Sequence, residues 1–449
     1  MTQEGRSAAV VEIPRQVEDA QAQWGWVEPG AWTPRMLAAL QNGVKGGMWF
    51  SLIDKVGAKK NLEAGFRKVK SNGGAAGVDH VTVTHFEEKL EENLSHLSTQ
   101  VSTGSYRPQA IKRVYIDKTG SKERRPLGIP TVRDRVVQTA LRSVMEPIFE
   151  KEFADSSYGF RPGRGCKDAL RVVDAALKGG QSWVVDADIK RYFDSISHRR
   201  LMTEVSKRIA DSRVLELVES FLKSQVMDGL QEWTPDQGTP QGAVISPLLA
   251  NIYLNELDHE MTNAGFRMVR YADDLVVLCH TRIEAERALS LLVSWMSGAE
   301  LTLHPEKTRM VDMTERGASF EFLGYRFART KGKGRLARWP RDKSTHSFKQ
   351  TIRLVTKRNN GYSLQGIVKQ VNQIVRGWFE YFKHSCAVTF TPLDAWIRMR
   401  LRSILRRRSH RTGRGRGSDH QRWTNAYFAA NGFFSMSEAV RRGSQSAMR

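Results

Sequence analysis

Two adjacent carboxylates, Asp273 and Asp274, are the residues whose type and spacing most clearly suggest chemistry. They lie in the middle of segment 266–279, between two short apolar runs, so the pattern predicts a β-hairpin with both acids at its tip. Neighbouring like charges must be hydrated, protonated or bound to cations. A third acid, Asp188, lies in the apolar segment 182–189, where a carboxylate is costly unless it has a partner.

The two predicted strands define the chemistry that these acids could perform. Placed side by side, the strands would bring Asp188 to Asp273 at one end of a sheet. Oxygen-only ligands of this kind suit Mg²⁺, which takes one or two protein carboxylates and completes its shell with water and substrate phosphates. Two such ions roughly 3.5–4 Å apart could activate a hydroxyl and stabilise the leaving oxygen of a phosphoryl displacement. Since a single Asp is usually a turn or surface acid, this interpretation depends on the surrounding motifs.

The elements that must position these acids show both helical and strand-like patterns. Apolar side chains at helical spacing predict helices within 49–69 and over 132–153, 214–222 and 283–296. Because the two strand-like segments lie between these helices, an α+β or α/β body is indicated. The glycine-rich segment 71–77 is not a phosphate-binding loop, since no Gly-Lys-Ser/Thr sequence follows it.

The charge of the 449-residue chain, +22 in total, is unevenly distributed. Residues 1–330 hold 44 Lys and Arg against 43 Asp and Glu, whereas residues 331–449 hold 26 against 5. This basic excess favours a polyanionic partner, nucleic acid before an acidic membrane surface. Aromatic residues within 378–396 predict a packed core, whereas the basic run 406–417 is typical of an unfolded tail in the unbound protein.

The sequence also excludes several classes of protein. The three cysteines, Cys166, Cys279 and Cys386, are far apart and form no Cys-x-x-Cys pair, which excludes a disulfide scaffold and a cysteine-built zinc module. No apolar run is as long as a membrane span, and the N-terminus lacks the pattern of a signal peptide. We therefore expect a cytoplasmic protein with no membrane partner.

The blocks of sequence around the acids resemble, in order, the motifs of reverse transcriptases. The hairpin tip 271–274 resembles polymerase motif C, 188–196 resembles motif A, and 238–251 resembles motif B. Blocks similar to the fingers, to motif D, to the strand after it and to the maturase region lie at 125–130, 157–163, 301–308, 322–325 and 364–385. Together they make the chain similar to bacterial group II intron-encoded reverse transcriptases with a maturase region.

The resemblance implies an α+β fold of the right-hand polymerase type. Fingers and a palm with a small antiparallel sheet would be followed by an α-helical thumb, the maturase domain. The implied segments are an N-terminal extension over 1–70, fingers and palm over 71–330, the thumb or maturase domain over 331–400, and a basic DNA-binding tail over 401–449.

The resemblance also implies which residues are catalytic. Asp188, Asp273 and Asp274 would bind two Mg²⁺ ions, for which Mn²⁺ could substitute. Lys307, in the block similar to motif D, would donate a proton to the departing pyrophosphate. An exposed lysine is otherwise most often only solvated.

Further residues would bind the nucleotide and the nucleic acid. Phe193 would exclude a ribose 2′-hydroxyl, and Gln241 would contact the incoming nucleotide and the template backbone. Lys118 and Arg125 would hold the triphosphate, although Asp117 stands where the family usually has proline. The arginines expected to bind nucleic acid are Arg376, Arg398, Arg400, Arg402, Arg406, Arg407 and Arg408.

These assignments predict an RNA-directed DNA polymerase that binds its group II intron RNA, assists splicing and copies the intron into DNA from a target-site primer. Its partners would be the intron RNA, the DNA target and primer, and dNTPs, and a homodimer is compatible with the sequence. No nuclease module is expected, because His384, His410 and His420 are isolated and no cysteine pair accompanies them.

Other functions remain open on the sequence alone. A related bacterial reverse transcriptase recruited to phage defence, DNA repair or CRISPR spacer acquisition would keep the same catalytic residues. A splicing factor without enzymatic activity would not need all three acids. A transposase or nuclease would have no use for motif B or for Phe193.

Overall fold

The computed structural model describes residues 24–117, 124–330 and 334–446. Its described residues up to Met310 form one compact unit, and those from Val311 onward form a second. None of the helices in these ranges is both long and apolar enough to cross a membrane. The division into four functional segments, which the resemblance implies, remains a prediction.

The first unit contains most of the secondary structure. Its helices are α1 (Pro34–Asn42), α2 (Ile53–Val56), α3 (Lys59–Asn72), α4 (Val83–Glu88), α5 (Leu90–Thr103), α6 (Val132–Glu150), α7 (Cys166–Lys178), α8 (Tyr192–Ser195), α9 (His198–Ser206), α10 (Ser212–Leu222), α11 (Ser246–Asn263) and α12 (Arg282–Gly298). Its strands are β1 (Ile111–Asp117), β2 (Arg124–Ile129), β3 (Trp183–Asp188), β4 (Val226–Asp228), β5 (Gln231–Trp233), β6 (Arg267–Tyr271) and β7 (Asp274–Cys279), and β8 (Arg309–Asp312) begins at its end.

The predicted helices of this unit are confirmed, and they form around one core. α6 illustrates the cause: Thr131 caps its first turn through a bond from the Asp134 backbone N–H, and its apolar side chains are almost all buried. α6 packs along α3 in the same hydrophobic cluster that includes β3, β7 and α11. Helices α10 and α12 match the predicted ranges to within two residues.

Two four-stranded sheets complete the first unit. The order β6-β7-β3-β8 places β7 in the centre of one sheet, antiparallel to both β6 and β3. The predicted hairpin and the predicted neighbouring strand are therefore confirmed, and the fold is α+β. The second sheet has the order β2-β1-β4-β5.

The second unit is a small sheet followed by helices. Its strands, in the order β11-β10-β9, are β9 (Ser319–Phe322), β10 (Tyr325–Arg329) and β11 (Leu336–Pro340), and its helices are α13 (Asp342–Val355), α14 (Leu364–Phe382), α15 (Phe390–Arg408), α16 (Ser418–Arg422), α17 (Asn425–Ala430) and α18 (Met436–Ser446). The prediction that most aromatic residues here form a core is correct. Trp378 stacks on Phe348 at 4.6 Å between ring centroids and contacts Phe382 at 4.7 Å.

The basic run at 406–417 is folded, which corrects the expectation of an unfolded tail. α15 continues through residue 400 to Arg408, and Trp423, Phe428 and Phe433 beyond it are buried in the same core as α14. The intervening loop folds back onto α15, because the Gly415 N–H donates to the Ser403 hydroxyl at 3.3 Å.

Asp211 ties the residues before α3 to the rest of the first unit. One carboxylate oxygen accepts from the backbone N–H groups of Leu52 and Ile53 at 2.6 and 2.9 Å. The other oxygen caps α10 through the N–H groups of Arg213 and Val214. One buried carboxylate therefore satisfies four backbone donors from two distant segments.

We expect Asp211→Ala to lower the free energy of unfolding by about 2–4 kcal/mol, because it removes a helix cap and leaves two buried N–H groups unsatisfied. Urea unfolding measures the loss. Asp54→Ala, which removes an exposed acid in α2, is the control and should change stability by less than about 0.5 kcal/mol. Equal effects of the two substitutions would contradict this account of Asp211.

Candidate active site and nucleic-acid surface

The three acids lie where β3 ends and β7 begins. Asp188 is the last residue of β3 and is paired directly with Asp274, the first residue of β7. Asp273 belongs to the two-residue turn between β6 and β7, after Ala272 in a left-handed conformation (φ 58°). The predicted approach of the two strands is thus confirmed at the level of backbone pairing.

The carboxylate of Asp273 is held in an unfavourable environment. Burial, and next the negative charge of Asp188, raise its pKa above the ordinary value of 3.8, although a backbone hydrogen bond works in the other direction. The positive charges of Arg125 and Lys307 also lower this pKa. Two acids and two cations of the first unit therefore share one electrostatic site.

Lys307 contacts the site directly. Its ammonium group donates to the Asp188 carboxylate at 2.5 Å, while the Asp188 backbone carbonyl accepts from the His304 N–H at 2.7 Å. The second bond fixes the loop before β8 against the end of β3, so that Lys307 can reach the acids. Its role as a proton donor stays a prediction.

The site offers oxygen donors that a divalent cation could use. In the described parts of the chain, no three His, Cys, Asp or Glu side chains are grouped as a ready-made metal cage. Asp188 and Asp273 nevertheless offer carboxylate oxygens of like charge in one partly buried site. This set fits Mg²⁺, which needs only one or two protein carboxylates when water and phosphate oxygens complete its shell.

The block similar to motif B packs against the block similar to motif A. The Thr239 N–H donates to the Phe193 carbonyl at 2.6 Å, and a side chain on Gly238 would come within 2.9 Å of that oxygen. The Phe193 ring is partly buried against the core. The Gln241 carbonyl accepts from the Gly128 N–H at 2.6 Å, which fixes this loop to β2. Phe193 and Gln241 therefore lie on neighbouring segments of the same site.

Of the two residues predicted to hold the triphosphate, the structure describes only Arg125. Arg125 lies on β2, is exposed, and is near enough to lower the pKa of Asp273. Lys118 lies outside the described residues. Both assignments stay predictions.

Sequence reasoning missed Arg270, which precedes the motif C tyrosine and is completely buried. Its guanidinium forms an ion pair with Asp258, also completely buried. The signal was present in the sequence, because an arginine within the apolar run of β6 must find buried acceptors. What those acceptors would be depends on the tertiary fold.

In the second unit, two of the seven predicted nucleic-acid arginines face inward. Arg402 is only 4% exposed and donates to the Trp423 carbonyl and to Asn425, which corrects its assignment. Arg406 donates to Asp419 at 2.6 Å and to the Thr412 carbonyl, so that its side chain supports the folded loop. Both side chains stabilise the folded helical unit, and a role of Arg406 in nucleic-acid binding stays a prediction.

The other five remain candidates, and one belongs to a larger group. Arg376 and Arg407 are exposed, Arg398 is partly exposed, and Arg408 donates to backbone carbonyls of the preceding loop. Arg400 contacts the Trp396 ring, as do Lys349 and Arg353 from α13; we call these four residues the Trp396 cluster.

The Trp396 cluster is strongly cationic. Burial, followed by the charges of Arg353 and Arg358, lowers the pKa of Arg400. The repulsion between these arginines would decrease when an anion binds to the cluster.

A β-hairpin that bears carboxylates, followed along the chain by a basic helical unit, is the arrangement of the polymerase class. Residues 116–327 match the family model described as reverse transcriptase (RNA-dependent DNA polymerase). Residues 345–423 match the model described as group II intron, maturase-specific domain.

Individual relatives agree with these models. Protein YkfC of Escherichia coli is 35% identical over an alignment of 296 positions, gaps included, that covers 57% of this chain and 77% of that protein. The group II intron-encoded protein LtrA of Lactococcus lactis is 41% identical over 195 residues, 43% of this chain. The chain therefore belongs to the reverse transcriptase family and, within it, to the type that group II introns encode.

These matches cover only part of each protein. The chain spans about a third (32%) of the length of the Lactococcus lactis protein. Among solved structures, a partial Cas6-RT-Cas1–Cas2 complex matches 55% of this chain and 42% of that chain at 20% identity, with a TM-score of 0.34.

Proposed function

We propose that the protein is an RNA-directed DNA polymerase that binds group II intron RNA, assists its splicing and supports target-primed reverse transcription. The observation that carries this proposal is the pairing of Asp188 with the hairpin that bears Asp273 and Asp274, within the segment that matches the reverse transcriptase model. In this proposal the protein acts in the bacterial cytoplasm, at the nucleoid, on intron RNA, target DNA, primer and dNTPs.

The acids have one shared task in the proposed reaction. Asp188 and Asp273, with Asp274, would hold two Mg²⁺ ions, for which Mn²⁺ could substitute. When bound, these ions would lower the pKa of the primer hydroxyl and neutralise charge on the phosphates. The protein's contribution is to keep two mutually repelling carboxylates together in a partly buried site.

The neighbouring residues would orient the nucleotide and move protons. Lys307, already within hydrogen-bond distance of Asp188, would release that acid and donate a proton to the departing pyrophosphate. Arg125 would hold the triphosphate with Lys118. Phe193 would occupy the space of a ribose 2′-hydroxyl, while Gln241 would contact the nucleotide and the template backbone.

We expect Asp273→Ala to abolish extension of a DNA primer on an RNA template in Mg²⁺. Affinity for the RNA–DNA hybrid should stay within about twofold, because the site contributes little of the phosphate contact that dominates binding. Primer extension on a gel and fluorescence anisotropy measure the two properties. The control is Asp236→Ala, which removes an exposed acid and should leave both unchanged. Extension at the wild-type rate by Asp273→Ala would contradict the proposal.

The Trp396 cluster supplies the test of nucleic-acid binding by the second unit. Point substitutions are preferable to truncation, because residues after Arg408 complete the core of this unit. Lys349→Gln with Arg353→Gln removes two charges from the cluster. Lys369→Gln with Arg442→Gln, two exposed positions on α14 and α18, is the matched control with the same change in charge.

We expect the cluster variant to weaken binding of a fluorescein-labelled RNA–DNA hybrid and to reduce the slope of log affinity against log salt by about 1.5, since each lost phosphate contact changes the slope by roughly 0.7–0.9. The control pair should change the slope by less than half as much. If both pairs had the same effect, binding would depend on total charge alone and the cluster would have no special role.

A further inference from the structure

The guanidinium of Arg270 has all five of its N–H donors engaged inside the first unit. Nε and Nη2 donate to the two oxygens of Asp258, the former at 2.7 Å. Nη2 also donates to the Ser157 hydroxyl at 2.9 Å, and Nη1 to the Asn251 side-chain oxygen at 3.0 Å. The fifth bond runs from Nη1 to the backbone carbonyl of Ala272 at 3.0 Å. Since a guanidinium has five donors, none is left over.

These acceptors come from three separate parts of the chain. Asp258 and Asn251 lie seven residues apart on one face of α11. Ser157 lies in the loop before α7. The backbone of this loop also pairs with β6, because the Tyr158 N–H donates to the Arg270 carbonyl at 2.9 Å. Arg270 thus joins a helix, a loop and the hairpin in one buried network.

The bond to Ala272 differs from the others because of where that residue lies. Ala272 is in the turn that presents Asp273, and it adopts a left-handed conformation (φ 58°) that is strained for a residue with a side chain. The loop also presses against this turn: a side chain on Gly159 would lie 2.4 Å from the Ala272 nitrogen. The side-chain amide N–H of Asn251 donates to the Gly159 carbonyl at 2.7 Å and so fixes this loop.

We propose that Arg270 is a positioning residue for the polymerase reaction: by holding the Ala272 carbonyl, it fixes the strained turn that aims the Asp273 carboxylate toward Asp188. The proposal rests on the proposed function, because it assigns Arg270 a task only if Asp273 takes part in nucleotide transfer. It also explains why a completely buried arginine stands three residues before the acid.

A purely structural role makes a different prediction. Buried ion pairs are not needed for stability, and replacing both partners with apolar residues of similar volume is often neutral or stabilising. If the pair only supported the core, such a replacement would restore activity together with stability. If Arg270 positions the turn, stability would return without activity.

The experiment compares Arg270→Met, Asp258→Leu and the double variant in the full chain. Each single variant leaves a charge buried without its partner and should lower Tm by about 10 °C. The double variant should recover most of that loss and bind an RNA–DNA hybrid within about twofold of wild type. Its kcat for primer extension should remain about 100-fold lower, since a misplacement near 1 Å costs about that much.

Asp211→Ala is the control for lost stability, because it weakens the same unit at a cap remote in sequence from the hairpin. Below its Tm, this variant should retain wild-type kcat. A double Arg270–Asp258 variant with recovered Tm and a loss of kcat smaller than tenfold would overturn the proposal. Absence of primer extension by the wild-type protein would instead refute the proposed function, so the two failures are distinguishable.

Arg270→Lys keeps the proposal testable if the double variant does not fold. Lysine preserves the charge opposite Asp258, but its single ammonium cannot reproduce the planar fork that also reaches Ala272. We expect a folded protein with wild-type affinity for the hybrid and a kcat reduced at least tenfold. A kcat within threefold of wild type would show that charge alone suffices, which would overturn the positioning role.

Discussion

The structure depends on keeping two carboxylates together that repel one another. Asp188 ends β3, Asp273 lies in the adjoining hairpin turn, and burial together with this mutual repulsion raises the pKa of Asp273. The pairing of β3 with β7 provides the necessary backbone restraint, and Lys307 and Arg125 provide counter-charge. The sheet thus brings carboxylate oxygens together where a divalent cation would bind, and this links the fold to the proposed chemistry.

The basic second unit uses its charge in two ways. Arg402 and Arg406 are turned inward, where they bind backbone carbonyls and Asp419 and so hold a loop against α15. The Trp396 cluster, by contrast, concentrates cations around one ring, and burial together with the charges of Arg353 and Arg358 lowers the pKa of Arg400. The net charge of this unit therefore overstates the positive surface available to a nucleic acid, since some of the arginines form bonds inside the unit.

Sequence patterns are sufficient to predict the helices and strands that depend on the local spacing of apolar residues. The long helix over 132–153 and the hairpin at 266–279 have periodicities of 3.6 and 2, and both were predicted correctly. The order of the basic run at 406–417 does not follow from its composition, because it comes from tertiary contacts such as the bond from the Gly415 N–H to the Ser403 hydroxyl. The network of Arg270 was missed for the same reason: its acceptors on α11 and in the loop before α7 are far away in sequence.

The most direct test of the central claim is to locate the metal. Crystals of the protein with an RNA template, a DNA primer and a non-hydrolysable dNTP, grown in Mn²⁺, would reveal the ion by its anomalous scattering. The account predicts a peak within about 2.5 Å of carboxylate oxygens of both Asp188 and Asp273. A complex with the primer end in place and Mn²⁺ bound elsewhere would contradict it.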